Sequence, residues 1–170
     1  MLIRQEQPAD YDEIYELVKK SFATSTNDGE WDYLNEVREK DTFIPELSLV
    51  AENDDGKLVG QIVLYKSNIT APDKVYTELL LSPISVHPDF FRKGIAHAMM
   101  MEAFRIAKDM GFTAVFLCGD PEFYHKFGFK GTYEYGIFHI ADKTKKAEWC
   151  MALELIPGEL AGKAGTVDIQ

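Results

Sequence analysis

The amino-acid sequence predicts a mixed α/β domain built around one sheet, and the spacing of its apolar residues carries that prediction. Helical spacing dominates residues 1–40 and a stretch that begins at Gly94, whereas strand-like apolar runs dominate residues 47–86 and the C-terminal part. Of the 170 residues, 46% are hydrophobic and 12% are aromatic, which is enough to bury a core. Because no repeat, low-complexity tract or linker interrupts the chain, we expect a single domain over residues 1–170.

The N-terminal part is predicted to hold one strand and two helices. A short strand is expected at residues 2–4, and Pro8-Ala9-Asp10 is typical of a helix start. The helix that follows has one apolar stripe, made of Tyr11, Ile14, Tyr15, Val18 and Phe22. Residues 25–29 predict a loop because they are Ser, Thr, Asn, Asp and Gly. The second helix has one apolar face, made of Trp31, Leu34 and Val37.

The middle of the chain is predicted to consist of strands. Apolar runs at residues 47–52 and 57–65 flank the turn Asp54-Asp55-Gly56, which predicts a hairpin. Residues 75–86 are so rich in apolar side chains that this strand is expected to lie near the centre of the sheet.

Helix and strand alternate again in the C-terminal part. A helix is expected over residues 94–110, and Gly111 suits its C-terminal end. One face of that helix is apolar and consists of Ile95, Met99, Ala103, Ile106 and Met110. The apolar run at residues 114–118 favours a buried parallel strand. Beyond it we expect a short helix at residues 121–126 and strands at residues 127–130, 135–140 and 148–156, of which the last is the final strand.

The charge balance limits the partners of the protein. Lys and Arg total 18 and Asp and Glu total 28, so the net charge is −10 and we expect no nucleic acid as a partner. No apolar run approaches the ~18 residues that a membrane helix needs, so we expect no membrane contact. Residues 1–10 lack the apolar stretch of a signal peptide, and a cytoplasmic location follows as the expectation.

Several common kinds of site find no support in the sequence. Cys118 and Cys150 lie in apolar strand-like runs, which predicts buried free thiols. His87, His125 and His139 lack the spacing of metal ligands, so no metal site is expected. The chain contains neither the Gly-x-x-x-x-Gly-Lys-Ser/Thr loop of ATP-binding proteins nor the Gly-x-Ser-x-Gly turn of hydrolases.

The most informative segment runs from Ser85 to Ala96, where an apolar strand ends and a glycine opens a helix. The first turn of a helix carries backbone N–H groups without intrahelical partners and a partial positive charge. Gly94 and Ala96 allow a phosphate to approach this backbone, and Arg92 and Lys93 add positive charge. The segment therefore indicates a pyrophosphate cradle, and, taken alone, it fits an ordinary strand-to-helix turn as well.

A second segment, after the next strand, supports a functional interpretation of the first one. Together the two resemble the GNAT acetyltransferase superfamily, whose signature is Arg/Gln-x-x-Gly-x-Gly/Ala after the fourth strand and Tyr-x-x-x-Gly-Phe after the fifth. The corresponding sequences here are Phe91-Arg92-Lys93-Gly94-Ile95-Ala96 and Tyr124-His125-Lys126-Phe127-Gly128-Phe129. The run Gly119-Asp120-Pro121, with Met151-Ala152-Leu153-Glu154-Leu155 and Pro157-Gly158, resembles the YhbS-like branch of predicted acetyltransferases. The resemblance is strongest over residues 47–167 and implies a GNAT-like fold, with a central mixed, mostly antiparallel sheet flanked by helices.

The resemblance implies an N-acetyltransferase that uses acetyl-CoA as cosubstrate and a small-molecule or peptide amine as acceptor. Backbone atoms at the end of the fourth strand are expected to pair with the pantetheine arm, and these residues are Ile84, Ser85 and Val86. Backbone amides of the following turn and helix are expected to hold the pyrophosphate, and these residues are Arg92, Lys93, Gly94, Ile95, Ala96 and His97. The second segment is expected to add Asp120, Phe123 and Tyr124.

Two residues are predicted to be catalytic by the same resemblance. Tyr124 matches a tyrosine near the cofactor sulfur, where a phenol can protonate the departing thiolate; the alternative is an aromatic residue packed beside Phe123 and Phe127. Glu78 is the candidate general base, because the family often has a glutamate in this strand; the alternative is an exposed strand end. Asp120 is a second acid near the site or the cap of the following short helix.

One departure from the family pattern supports a second hypothesis. Phe91 stands where the family usually has an Arg or Gln that helps to bind the phosphates, although Arg92 next to it offers a charge. The alternative function is a non-catalytic module, such as a sensor, that binds CoA or another ligand. Retention of Tyr124 favours the enzyme, because a binding module needs no proton donor at that position.

The acceptor amine is the least constrained part of the prediction. By analogy with the family, residues 22–45 border the acceptor side. This segment is acidic, through Asp28, Glu30, Asp32, Glu36 and Glu39. Such a segment attracts a cationic amine or is simply a solvated helix face, and the sequence leaves both readings open, together with the existence of a homodimer.

Overall fold

The computed structural model describes residues 1–22 and 29–169, except for the side chain of Glu30. Its residues divide into two compact units that interleave along the chain. Unit 1 contains Met1–Tyr65 and Ser82–Ile106, and unit 2 contains Lys66–Leu81 and Ala107–Gln170. The loop predicted at residues 25–29 lies outside the described residues, apart from Gly29.

Four helices and nine strands form the described part of the chain. In chain order they are β1 (Leu2–Gln5), α1 (Tyr11–Ser21), α2 (Glu30–Glu39), β2 (Ser48–Glu52), β3 (Leu58–Thr70), β4 (Val75–Val86), α3 (Ile95–Asp109), β5 (Ala114–Cys118), α4 (Pro121–Tyr124), β6 (Lys130–Gly131), β7 (Ile137–His139), β8 (Cys150–Glu154) and β9 (Gly165–Val167). Single 3₁₀ turns occur at Pro8–Asp10, Pro45–Leu47, Pro88–Phe90, His125–Phe127 and Thr132–Tyr135.

Unit 1 combines β1, β2 and the first part of β3 with α1, α2 and most of α3. The strands pair antiparallel, with Leu2 opposite Glu52 and Ser48 opposite Val63. Helix α3 packs directly on β3, because a Cβ atom at Gly60 would lie only 2.8 Å from Met99 Cε. Successive residues of a strand point to opposite faces, so the side chain of Gln61 lies on the face away from α3.

Unit 2 is a sheet with strand order β4-β5-β8-β6. Strand β5 pairs in parallel with β4, with Leu79 opposite Val115, and antiparallel with β8, with Cys118 opposite Cys150. Strand β9 pairs with β3 at Thr70 and in parallel with β7. Most of the pairings are antiparallel, which confirms the predicted mixed, mostly antiparallel sheet flanked by helices.

The helical stripes predicted from the sequence are largely confirmed by burial. In α1, Ile14 and Val18 are fully buried, but Tyr15 is 36% exposed and stacks edge-on against Trp31 at 5.0 Å. Leu17, which the predicted stripe omitted, is 2% exposed and completes the buried face. In α2 the buried residues are Leu34 and Val37, as predicted.

Two strands near the C-terminus were wrongly placed and one was missed. Residues 127–130 do not form a strand, because the 3₁₀ turn His125–Phe127 ends at Gly128 with φ of 93° and only Lys130–Gly131 pairs with β8. The strand predicted at residues 135–140 is limited to Ile137–His139. The strand at Cys150–Glu154 is not the final one, because β9 follows it; a three-residue strand that contains glycine has too little apolar pattern to be recognised.

The described residues contain neither a membrane-spanning helix nor a cluster of metal ligands. No helix in residues 1–22 and 29–169 is long and apolar enough to cross a membrane. Within the same ranges, no group of three or more His, Cys, Asp or Glu side chains is arranged to hold a metal ion.

Candidate active site

The turn between β4 and α3 belongs to unit 1, and His87 fixes its shape. The His87 backbone N–H donates to the carbonyl of Val59 at 2.8 Å, which ties the start of the turn to β3. The His87 ring is 6% exposed, and its Nδ1 accepts the backbone N–H of Asp89 at 3.1 Å. His87 is therefore a structural residue that caps the 3₁₀ turn Pro88–Phe90.

Two residues of this turn have left-handed backbone conformations, Arg92 with φ of 61° and Gly94 with φ of 78°. Nothing lies within 4 Å of the position that a Cβ of Gly94 would occupy, so the glycine is required by its φ and not by a neighbouring group of the described protein. The first helical hydrogen bond of α3 runs from the Ala98 N–H to the Gly94 carbonyl at 3.0 Å. The space next to Gly94 into which a side chain would project is thus open.

The first turn of α3 has the geometry of an anion site. Residues 95–97 form its first turn, and the N–H groups at the start of a helix have no intrahelical acceptor. Arg92 and Lys93 are exposed beside it, and Lys93 Nζ lies 5.1 Å from the ring centre of Phe90. Phe91 is 51% exposed and brings no charge to the turn. The positive charges of this turn are those of Arg92 and Lys93 and the partial charge of the helix end, and Asp89 adds one exposed carboxylate.

Successive residues at the end of β4 differ in burial, because they point to opposite faces of the sheet. Ser85 is 2% exposed, whereas Ile84 and Val86 on either side of it are half-buried. The Ser85 hydroxyl accepts a hydrogen bond from Gln61 Nε2 at 3.1 Å. Unit 1 therefore brings together all the residues that were predicted for the pantetheine arm and the pyrophosphate, at the end of β4 and the start of α3.

The segment that follows β5 belongs to unit 2, and its first turn is capped by Asp120. The Gly119 N–H donates to the Trp149 carbonyl at 2.9 Å, and Asp120 Oδ1 accepts the N–H of Glu122 at 3.0 Å. The capping role foreseen for Asp120 is confirmed by this bond. Its side chain is exposed, so it is also accessible to solvent.

Tyr124 is held by contacts to its ring. A Cβ at Gly119 would lie 2.6 Å from Tyr124 Cε2, so the ring packs directly on the backbone of Gly119. The ring of Phe123 lies 4.9 Å away and that of the buried Phe129 lies 5.8 Å away, both edge-on. The Tyr-x-x-x-Gly-Phe motif thus has a physical basis, because Gly128 turns the chain in a left-handed conformation and returns Phe129 to Tyr124. Phe127, the other aromatic residue of the predicted packing, contacts Phe123 at 5.2 Å.

Glu78 is neither an exposed strand end nor a carboxylate with open lone pairs. It is 4% exposed and accepts the backbone N–H groups of Thr113 at 3.0 Å and Ala114 at 2.9 Å. The Thr113 hydroxyl donates to the same carboxylate, and Lys163 Nζ lies 3.4 Å from Glu78 Oε1. Four donors, one of which is the countercharge Lys163, make Glu78 an anchor that joins β4, β5 and the segment before β9.

The structure does not bring Glu78 and Tyr124 together. Glu78 binds the start of β5 at Ala114, whereas the Tyr124 ring packs on Gly119, just beyond the end of β5. From Ala114 to Cys118 the strand advances four residues, or about 13 Å. The amine that loses a proton and the sulfur that gains one meet at the same acetyl carbon, so the base and the acid must each act close to it, directly or through one water. We therefore describe Glu78 as a structural residue of unit 2, and the prediction that it is the general base gains no support from its surroundings.

The two cysteines face each other across β5 and β8. Both are free thiols; Cys150 is buried as predicted, while Cys118 is only half-buried. A hydrogen bond from Cys118 lowers the pKa of Cys150 to about 7, although burial opposes the shift. A hydrogen bond from Thr132 makes a smaller contribution in the same direction. The same pairing raises the pKa of Cys118.

The acidic residues predicted for the acceptor side are exposed where they are described. Asp32, Glu36 and Glu39 lie on the solvent face of α2, as expected for a solvated helix face. Asp28 and the side chain of Glu30 lie outside the described residues.

Sequence reasoning missed two sets of buried polar residues. One is the pair Thr113 and Lys163, the partners of Glu78, which lie 35 and 85 residues from it along the chain. The other is Gln61, a polar residue in the middle of the apolar run of β3 that is 1% exposed. A polar side chain at the centre of a buried strand was the one available signal.

The fold and the two segments define an acetyltransferase domain. The family model described as "Acetyltransferase (GNAT) domain" matches residues 2–131, and the chain belongs to this family. It is similar to the uncharacterized N-acetyltransferase YhbS of Escherichia coli K12, with 31% identity over 130 residues, which is 76% of this chain and 74% of the relative. The resemblance to the GNAT family and to its YhbS-like branch is thereby confirmed.

Solved structures of GNAT proteins agree with this assignment. The crystal structure of E. coli YhbS in complex with CoA has a TM-score of 0.84 and 25% identity, and the match covers 99% of this chain and 89% of that one. The structure of a GNAT family acetyltransferase from Brucella melitensis in complex with acetyl-CoA has a TM-score of 0.76 and 26% identity, with 99% and 95% covered.

Proposed function

We propose that this chain binds acetyl-CoA at the β4–α3 turn and transfers the acetyl group to an amine. The observation that carries the proposal is the open, left-handed turn at Gly94 in front of the first turn of α3. A diphosphate fits the chemistry of this turn, which offers backbone N–H groups and two exposed cations. The complexes of YhbS with CoA and of the Brucella enzyme with acetyl-CoA support the same ligand.

The residues expected to bind acetyl-CoA form three groups, one for each part of the ligand that they would contact. The backbone of Ile84, Ser85 and Val86 would pair with the pantetheine arm, and the amides of residues 92–97 would hold the pyrophosphate. Ser85 is well suited to a fixed strand end, because its side chain is buried and bonded to Gln61. Phe123 and Asp120 would border the sulfur end through their positions next to Tyr124.

Tyr124 is the proposed general acid. Acetyl-CoA supplies the acetyl group as a thioester, and transfer forms an N–C bond while the C–S bond breaks. Tyr124 Oη gives its proton to the departing sulfur, and solvent returns a proton to the phenol. The packing of the ring on Gly119 holds Oη in one direction for this task. The proton of the amine goes to water, because the carboxylate of Glu78 already accepts four donors.

We also propose that the chain works as one domain in the cytoplasm, with a small-molecule or peptide amine as its acceptor. The family model supports one domain, because residues 2–131 include parts of both units. The free thiols of Cys118 and Cys150, paired across neighbouring strands, support a reducing compartment.

Thermal shift and thiol release separate this enzyme from a binding module. We expect acetyl-CoA to raise the midpoint of thermal unfolding, and acetyl-CoA with a panel of amines to release CoA thiol for at least one of them. The panel covers alkylamines, amino acids, amino-acid amides, aminoglycosides and peptides with free N-termini. A shift without thiol release on the whole panel favours the sensor hypothesis, and the absence of any shift refutes the proposed ligand.

A further inference from the structure

The two cysteines of unit 2 stand directly opposite each other on neighbouring antiparallel strands. Cys118 is the last residue of β5 and Cys150 is the first residue of β8, and the register pairs them. The backbone N–H of Gly119 donates to the carbonyl of Trp149 at 2.9 Å, so the adjacent pair is a hydrogen-bonded one. Cys118 and Cys150 therefore form a non-hydrogen-bonded pair, in which the two side chains share one face and come closest together.

The backbone geometry of such a pair suits a disulfide. The Cα atoms of a non-hydrogen-bonded pair lie about 4.5 Å apart, and disulfides form at Cα separations of about 4.4–6.8 Å. The strands can therefore keep their pairing when the bond closes. Because the separation is at the short end of this range, the bond is reduced more easily than one in relaxed geometry.

The two thiols differ in their access to solvent. Cys150 is 1% exposed, whereas Cys118 is half-buried. The chain contains no third cysteine, so an internal disulfide can join only these two. The hydrogen bond from Cys118 lowers the pKa of Cys150, which favours its thiolate. A small oxidant therefore reaches Cys118 first, and Cys150 stands beside it as the second nucleophile.

We propose that Cys118 and Cys150 form a reversible redox site, at which a small peroxide oxidises Cys118 and Cys150 then closes a disulfide between β5 and β8. The disulfide encloses residues 119–149, the segment that carries Tyr124. None of the steps proposed for acetyl transfer uses either sulfur, so this inference does not depend on the proposed function.

The oxidation proceeds in two steps that balance. Hydrogen peroxide transfers one oxygen atom to the Cys118 thiol, which gives a sulfenic acid and one water. Cys150 Sγ then attacks Cys118 Sγ; the S–S bond forms, the S–O bond breaks, and the oxygen leaves as a second water with the proton of the Cys150 thiol. In total the two thiols lose two electrons and two protons, and the peroxide is reduced to two waters.

Peptide mapping of the full chain tests this site. The purified protein is treated with hydrogen peroxide, its remaining thiols are blocked with N-ethylmaleimide, and it is digested with trypsin without reductant. Cleavage after lysine places Cys118 in peptide 109–126 and Cys150 in peptide 147–163. We expect the two peptides to be joined in the monomeric fraction, with both thiols lost. Dithiothreitol should separate the peptides and restore both thiols, whereas it does not reverse methionine sulfoxide, the other product of peroxide.

Two serine variants test the order of the steps. In Cys150→Ser the sulfenic acid of Cys118 meets no second thiol, so dimedone, which reacts with sulfenic acids, should label Cys118. In Cys118→Ser the remaining cysteine is buried, and the folded variant should stay unlabelled. The mapping of the wild-type protein decides by itself whether the disulfide forms, so the test holds even where a variant fails to fold.

Four results would overturn the proposal. The first is two free thiols in the wild-type protein after peroxide treatment, and the second is loss of the thiols without joined peptides, which means oxidation to sulfinic or sulfonic acid. The third is joined peptides that occur only in a covalent dimer of two chains. The fourth is dimedone on Cys150 of the folded Cys118→Ser variant with none on Cys118 of Cys150→Ser, which reverses the order of the steps.

Discussion

Glu78 and Tyr124 lie near opposite ends of one strand of unit 2, and they are held in opposite ways. The carboxylate of Glu78 receives four donors, including two backbone N–H groups of the start of β5. Tyr124 is positioned through its ring, by Gly119, Phe123 and Phe129. Saturating a carboxylate with donors removes the lone pairs that a base needs, whereas ring packing orients a phenol and does not itself engage the hydroxyl. The surroundings of Glu78 therefore oppose the catalytic role predicted for it, whereas the ring packing of Tyr124 is compatible with the role predicted for that residue.

The largest effect on stability is expected at Glu78. Glu78→Gln leaves Lys163 with only the exposed Glu159, 4.0 Å away, as a countercharge among the described residues, and sets an amide N–H₂ against the N–H donors of Thr113 and Ala114. Loss of one partner of a buried ion pair typically lowers the free energy of unfolding by about 3 kcal/mol or more. Urea unfolding measures this loss, and kcat, measured where the variant is folded, should stay within a few-fold of wild type.

Lys163→Met is the control for that experiment. It removes the cation but leaves the Thr113 and Ala114 donors on the carboxylate, so the loss should be smaller, roughly 1 kcal/mol. A Glu78→Gln variant with wild-type stability and a kcat reduced more than 100-fold would restore Glu78 as the general base and erase the contrast with Tyr124.

The other side of the comparison is Tyr124→Phe, which keeps the ring contacts and deletes the hydroxyl. If Oη protonates the departing thiolate, kcat should fall roughly 10- to 10³-fold, with acetyl-CoA affinity almost unchanged. This variant should lose less stability than Glu78→Gln does, because the ring contacts remain. Steady-state kinetics over a range of pH is the measurement, and full kcat at every pH would make Tyr124 a packing residue only.

A smaller effect is expected from a second anchored carboxylate, Asp10 in unit 1. Two hydrogen bonds from Arg4, at 2.8 and 2.9 Å, lower the pKa of Asp10, although burial opposes the shift. A depressed pKa in the folded state adds stability above the unfolded pKa of about 3.9, and this contribution disappears as the pH falls through the folded pKa.

Asp10→Asn isolates that contribution. At pH 7 the variant should be less stable by roughly 0.5–1 kcal/mol, and the difference should shrink as the pH falls below about 4. Urea unfolding at a series of pH values measures it. A difference that grows on acidification would show that the Arg4 contact does not stabilise the ionised carboxylate.

The sequence predicted most reliably those elements that depend on patterns of neighbouring residues. The hairpin of β2 and β3 and the helix α3 follow from turn residues and periodicity, and the two family segments located the β4–α3 turn and Tyr124. The role of Glu78 was not predictable in this way, because its partners Thr113 and Lys163 are brought to it by the fold from 35 and 85 residues away. Strand β9 was missed for a similar reason, since its pairing at Thr70 is not local and its three residues carry almost no pattern.

Gly94 offers the most direct test of the central claim, that the β4–α3 turn binds acetyl-CoA. Gly94 and Gly111 lie just beyond the two ends of α3, with φ of 78° and 94°, and neither would place a Cβ within 4 Å of another group among the described residues. Gly94→Glu and Gly111→Glu therefore introduce the same side chain and comparable backbone strain. Only Gly94→Glu places bulk and negative charge at the proposed pyrophosphate site. In calorimetric titration with acetyl-CoA, we expect Gly94→Glu to lose at least 100-fold in affinity and Gly111→Glu to bind like wild type; equal affinities in the two folded variants would contradict the account.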